Sequence, residues 1–155
     1  MNLKAIRVIV CAVLLFFIGG YAFVDFRLSR RERRTFVFYT LYEGTAEVED
    51  RMFLREPSEE SNIRRFVEET LLGPVSPDLA PLFPRETRLR SLLYRDGVVY
   101  ADLSESVVLV SLNGGNVFQS LVTMDTGIRR NFPFVRDVKL FIEGNQVFTI
   151  FATSR

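Results

Sequence analysis

The chain has 155 residues, a formal net charge of +1, one cysteine and no histidine. Its length supports one compact domain plus an appendage, and the lone Cys11 excludes an intrachain disulfide. The missing histidine removes the commonest metal ligand and the commonest general base together.

Charge is unevenly placed. Residues 1–34 hold Lys4, Arg7, Arg27, Arg30, Arg31, Arg33 and Arg34 against Asp25 and Glu32, a net +5; residues 35–155 hold 13 basic and 17 acidic groups, a net −4. The basic excess flanks "VIVCAVLLFFIGGYAFV", residues 8–24, which carry no charge. As a helix at ~1.5 Å per residue this run spans about 25 Å, slightly short of a bilayer core of about 30 Å. Residues 1–26 therefore read as a membrane anchor with one transmembrane helix. A signal peptide cleaved after Ala22, at "GYA", is the competing reading. A lipoprotein signal at Cys11 is discarded, because Val8, Ile9 and Val10 precede the cysteine and most of the apolar run follows it. Residues 27–34 form a basic juxtamembrane linker, with Arg27, Arg30, Arg31, Arg33 and Arg34 set against anionic headgroups. The positive-inside tendency, taken literally, leaves the domain in the cytoplasm. Nucleic-acid binding would need a basic stripe across the folded part and is not expected.

Residues 35–42, "TFVFYTLY", are aromatic and β-branched on both faces and predict a strand near the middle of a sheet. Residues 46–55 after Gly44 are mixed and predict an edge strand. Ser58 is placed as an N-cap, with Glu59 and Glu60 in the first turn. Ile63, Phe66, Val67, Thr70 and Leu71 recur on one helical face, opposite Arg64, Arg65, Glu68 and Glu69. Gly73 is placed for a left-handed cap and Pro74 stops the helix. Residues 76–84 hold three prolines and predict an extended connection. Residues 87–104 predict a hairpin turning at Asp96-Gly97. The apolar run 107–112 fits either state.

Gly114-Gly115-Asn116 opens a second helix with Phe118, Leu121, Val122 and Asp125 at helical offsets. Gly127 weakens a helix by up to about 1 kcal/mol, so its end is expected near there. Arg129 and Arg130 fall where they would cap it. A last hairpin joins residues 135–143 and 146–152 through Gly144-Asn145, with Val138, Leu140 and Ile142 facing inward. Residues 35–155 thus predict an α+β two-layer sandwich: a mixed or antiparallel single sheet with two helices on one face, in β-α-β-β-α-β-β-like order.

Four stretches together resemble a GerMN domain: "FVFY" (residues 36–39), "ETLLGP" (69–74), "VVYADLS" (98–104) and "NFPFVRDVKLFIEGNQV" (131–147). The resemblance runs from about residue 36 to 151. It implies a bacterial envelope protein, a lipoprotein or a membrane-anchored domain facing outward, of the kind placed in envelope assembly and spore development. On that implication the arginines form a collar beneath an exported domain. The family supplies no catalytic residues to carry over.

The residues themselves offer little chemistry. Asp96 reads as a turn residue, and Asp102 as a strand or capping residue, with ligand contact the sharper alternative. Asp125 could meet Asp102 only if the fold brings them together. Ser104 and Ser106 have no histidine base. Gly114-Gly115 lacks a dinucleotide fingerprint, and Lys4 and Lys139 are the only lysines. The acidic run 47–50 reads as solvated charge rather than a calcium loop. No catalytic, metal or cofactor residue is assigned. Candidate partner contacts are Phe36, Phe38, Tyr100, Asp102, Arg129 and Arg130. The aromatics are chiefly core, some becoming an exposed patch should one helical layer leave a face open. For Arg129 and Arg130 the alternative is a phosphate or glycan carboxylate. The expected function is a membrane-anchored, non-catalytic envelope module that binds an envelope protein or peptidoglycan, with weak homo-oligomerisation as a further reading. A small carboxylate-dependent hydrolase of cell-wall glycan is the alternative. It requires two acids roughly 5–9 Å apart.

Overall fold

A computed structural model describes residues 12–20, 31–113 and 116–147. It separates into two units, Met1–Glu32 with Met52–Arg55, and Arg33–Arg51 with Glu56–Arg155.

In the first unit, residues 12–20 form helix α1. Its apolar side chains are exposed all round, from 48% at Val13 to 80% at Phe16. Among the described residues no helix is long and apolar enough to cross a membrane. The remainder of the apolar run, the cleavage position at Ala22, Cys11, Arg27 and Arg30 lie outside the described residues. Within this unit Arg55 Nη1 lies 3.4 Å from Glu32 Oε1.

The described residues form two sheets, where the sequence predicts one. Strands β1 (Arg31–Thr40), β2 (Ala46–Leu54) and β3 (Leu79–Ala80) are ordered β2-β1-β3. Strands β4 (Leu89–Arg95), β5 (Val98–Leu103), β6 (Asp137–Ile142) and β7 (Asn145–Gln146) are ordered β4-β5-β6-β7. The connection between them includes residues 76–84, where Pro77, Pro81 and Pro84 lack ladder donors. Only Leu79 and Ala80 pair there, antiparallel to Thr40 and Tyr39, so the ladder stops.

The first strand starts at Arg31 and ends at Thr40, leaving Leu41 and Tyr42 in the turn. It is central, and the mixed β2 is at the edge, as its composition predicts. Helix α2 (Glu59–Leu72) is capped by Ser58, whose side chain accepts from Ser61 N, and it buries Ile63, Phe66, Val67, Thr70 and Leu71. Gly73 takes φ 90°, ψ −174°, outside the left-handed helical well expected of it. Asp96 and Gly97, at φ 51° and 76°, form the tight turn between β4 and β5. Residues Glu105–Asn113 form a 3-10 helix.

Helix α3 (Val117–Asn131), capped by Asn116, runs through Gly127 instead of ending there. Gly127 is where α3 meets α2: a Cβ there would stand 3.1 Å from Phe66 Cζ. Close approach outweighs propensity at this position. Phe118, expected inward, is 43% exposed, and Ser120, Met124 and Ile128 are buried instead. The chain then returns as β6, parallel to β5, and the last turn falls on Glu143-Gly144, one residue earlier than expected. Residues 148–155, with most of the last predicted strand, lie outside the described residues.

The core is an aromatic chain that links the elements. Phe36 of β1 stacks on Phe66 of α2 at 4.7 Å, Phe66 meets Phe132 edge-on at 5.8 Å, and Phe132 meets Phe134 at 5.8 Å. Phe134 then reaches Tyr94 of β4 at 5.5 Å. Each such pair adds about 0.5–1.5 kcal/mol beyond its buried area.

Candidate functional site: the open face of the four-stranded sheet

Alternation sorts the side chains of β4–β6 onto two faces. Leu92, Val99, Ala101, Leu103, Val138 and Leu140 are buried against the helical layer. Ser91, Leu93, Arg95, Val98, Tyr100, Asp102, Lys139 and Phe141 occupy the other face, half-buried to exposed. In register, Leu93 stands opposite Tyr100 and Tyr100 opposite Lys139, whose Nζ lies 5.5 Å from the Tyr100 ring centroid. Asp102 stands opposite Ser91 and Phe141. Two helices thus cover one face and leave a row of aliphatic, aromatic and charged groups on the other.

A bulge shapes one end of this row. The register slips between Leu89 and Ser91, placing Arg90 beside Asp102. Arg90 Nη1 lies 3.2 Å from Asp102 Oδ2 and 2.7 Å from Glu143 Oε2. Asp102 Oδ1 accepts from Gly144 N at 3.0 Å. Asp102 therefore ties the β6–β7 turn to the end of β5.

The three acids the sequence puts forward for a hydrolase, Asp96, Asp102 and Asp125, are not brought together. Asp102 and Glu143 do converge, but on Arg90 Nη1, at 3.2 and 2.7 Å, so that a guanidinium fills the space between them. Asp96 is exposed at the hairpin turn beside Arg95, at 3.5 Å. Six residues of extended chain, at about 3.3 Å each, put it about 20 Å from Asp102. Asp125 lies in α3 on the helical side of the sheet, opposite to Asp102, and is 7% exposed. Its Oδ1 accepts from Arg129 Nε at 3.0 Å, while Arg129 Nη2 donates to Asp137 Oδ1 at 2.9 Å and Nη1 to Arg136 O at 2.7 Å. Burial raises the Asp125 pKa, opposed by the Arg129 charge and hydrogen bond. Arg129 is itself shifted upward: burial lowers its pKa, but the two carboxylates outweigh that.

Among the other sequence candidates, Phe36 and Phe38 are 1% and 0% exposed. They are core and not surface, because β1 is central and turns both rings toward α2. Arg129 is engaged by two carboxylates, whereas Arg130 is exposed in the last turn of α3. In the basic segment, Arg31 is exposed, Arg33 Nη1 lies 3.6 Å from Asp50 Oδ2, and Arg34 donates to Asn131 O at 2.9 Å with its guanidinium 4.4 Å from the Phe132 ring. Arg33 and Arg34 are thus engaged by the fold.

Two networks escape sequence reasoning. Within the acidic run, Glu49 is not simply solvated: its carboxylate accepts from Arg51 Nε at 2.6 Å and from Val75 N and Ser76 N at 3.0 and 3.3 Å. Arg51 reaches Glu69 and Gly73 O and lies over the Phe36 ring. Asn131 exchanges two hydrogen bonds with the Thr35 backbone, at 2.7 and 2.8 Å, imitating a strand partner. Neither residue stands in a local motif that would announce it. Among the described residues no group of three acidic or thiol ligands could hold a metal ion.

No curated protein matches the chain. A structure of the tandem GerMN domains of the sporulation protein GerM from Bacillus subtilis matches 76% of this chain and 41% of that chain, at 20% identity and TM-score 0.56. This chain therefore spans less than half the length of that tandem structure. A candidate lipoprotein from Clostridium perfringens matches at 21% identity and TM-score 0.49, over 78% and 80% of the two chains. The first GerMN domain of GerM matches at 22% identity and TM-score 0.48, over 73% and 85%. The family model described as Germane, sporulation and spore germination, matches residues 37–148, which include α2, α3, the four-stranded sheet with its open face, and the first sheet apart from the start of β1. With that match extending over well more than half of its residues, the chain belongs to the Germane (GerMN-type) family.

Proposed function

We propose that this protein is a non-catalytic envelope module, tethered to the membrane through residues 8–24, that presents the open face of its four-stranded sheet to an envelope protein on the extracytoplasmic side. The observation that carries the reading is the one-sided helical layer, which leaves Leu93, at 52% exposure, Tyr100 and Phe141 on the uncovered side. A neutral mixture of rings and paired charges suits a protein surface better than a polyanion. Charges on that face offset one another, Arg90 with Asp102 and Glu143 being the closest set. The absence of a continuous basic stripe on this face argues against nucleic acid. Tethering is supported by α1, whose apolar residues face outward on all sides, a pattern that suits lipid. The separation of Asp96, Asp102 and Asp125, and the Arg90 guanidinium lodged between Asp102 and Glu143, support the non-catalytic reading over glycan hydrolysis.

The test is in cells of the native type. A photo-crosslinking residue at position 93 is expected to give a discrete protein adduct, and the same residue at exposed position 59 none. Adducts at neither position, combined with co-sedimentation on intact sacculi, would make peptidoglycan the partner. A self-adduct would make the surface homo-oligomeric. A reporter fused after Arg155 that is active only outside the cytoplasm is expected to be active. An inactive fusion, with a cytoplasmic control active, would overturn the extracytoplasmic assignment.

A further inference from the structure

The last turns of α2 and the segment entering β4 enclose a cleft of about 450 Å³, within the size range of small-ligand sites. Its walls are of three kinds. Leu71, Leu72 and Leu89 are apolar; Arg85 and Arg88 are exposed cations; Glu68 adds one anion. The seventh lining residue is Thr87, 3% exposed, whose Oγ1 is buried without a hydrogen-bond partner. A buried hydroxyl left unpaired is costly in a folded protein and calls for a reason. Among the described residues neither guanidinium, nor the Glu68 carboxylate, has an ion-pair or side-chain hydrogen-bond partner. The last turn of α2 carries no basic residue of its own, and its C-cap carbonyl, Gly73 O, is met from outside the cleft lining by Arg51.

These groups together select a ligand. Two guanidinia donate to a carboxylate. Glu68 favours N–H or ammonium donors and repels a dianionic phosphate. Three leucines take an apolar side chain and offer a sugar nothing to bond. We propose that this cleft binds a peptide carboxylate set beside an apolar side chain. The inference deepens the reading of this protein as a binding module and rests on it for the class of partner. It concerns a different surface from the open sheet face, so its failure and the failure of crosslinking at position 93 are separate results.

Amide shifts of Thr87, Arg88 and Leu89 in the full-length chain, in detergent micelles, report the site directly. Three probes divide the outcomes: Ala-Ala-Leu with a free C-terminus, its C-terminal amide, and acetyl-Asp-Leu-amide. Binding of the free acid alone assigns a chain terminus; binding of the aspartyl probe, with or without the free acid, assigns an acidic side chain. Either outcome supports the proposal. R85Q and R88Q are each expected to weaken the bound probe about tenfold, the size of one charge-assisted contact. R88Q, at an exposed position, decides. Equal binding of Ala-Ala-Leu and its amide, no shift with any probe at 10 mM (about 2.7 kcal/mol of binding), tighter binding of inorganic phosphate, or unchanged affinity in R88Q would overturn it.

Discussion

Asn131 does the work of a strand residue from the end of a helix. Its side chain satisfies both backbone groups of Thr35, and its amide also donates to Gly127 O. Asn131→Ala leaves the Thr35 N–H and C=O unpaired and is expected to lower stability by about 2 kcal/mol. Urea unfolding checks this; a loss under 0.5 kcal/mol would show that water replaces the amide at no cost. Glu49 and Asp125 make a pair of opposite sign. Burial alone would raise the Glu49 pKa, but the Arg51 hydrogen bond, the Ser76 and Val75 N–H groups and the Arg51 charge outweigh it and hold the pKa down. Its stabilising contribution is therefore present above the ordinary glutamate value of about 4.3 and is lost as the pH falls through the depressed folded value. Asp125 is raised by burial. What it contributes is present below the ordinary aspartate value of about 3.9 and is lost as the pH rises through the folded value. Between pH 3 and pH 7, Glu49→Gln is expected to fall increasingly behind the wild type in urea midpoint, and Asp125→Asn to gain on it. Parallel midpoint curves would refute both assignments.

Helix α3 continues through a glycine because contact with α2 requires one. Alanine at an exposed helical glycine gains about 1 kcal/mol. Here its methyl would meet the Phe66 ring, which is 3% exposed and fixed between Phe36 and Phe132. Gly127→Ala is expected to lose about 1–2 kcal/mol, because the ring has nowhere to move. A variant that melts higher than the wild type would mean that the stack yields. The β4–β5 turn is constrained differently. Gly97 has φ 76°, so conformation holds the glycine; a Cβ there would meet only the guanidinium end of the exposed Arg136 side chain, which can swing away.

At the scale of the folded unit, aromatic contacts that no single element could make hold the layers together. Phe66 touches Phe36 and Phe132, from β1 and the α3–β6 connection, so Phe66→Ala opens both junctions. The expected loss is about 3–5 kcal/mol, a large share of the about 5–15 kcal/mol typical of a domain. Circular dichroism and urea unfolding check it; a loss near 1 kcal/mol would mean that the core collapses around the gap. For the anchor, the full-length chain is expected to stay in the membrane pellet after alkaline carbonate extraction, and a chain lacking residues 1–26 to be released. Release of the full-length chain would remove the tether from the proposed function.

The elements that announce themselves are those with local causes. The Ser58 cap, the buried face of α2 from Ile63 to Leu71, the Asp96-Gly97 turn and the alternation of β6 follow from neighbouring residues, and so does the family resemblance of the stretches they contain. The missed features have distant causes. Gly127 looks like a helix end until Phe66 is beside it. Phe36 and Phe38 look like a possible surface until α2 covers them, and Glu49 looks solvated until the loop after α2 closes on it. The split into two sheets depends on where β1 and β4 find partners, and the cleft at Thr87 exists only where two sequentially separate segments meet. Sequence by itself determined the punctuation of this chain, because caps, turns and periodicity act over a few bonds. Tertiary structure alone decided which face stays open and which polar group stays unpaired, because burial depends on what the rest of the chain brings to that spot.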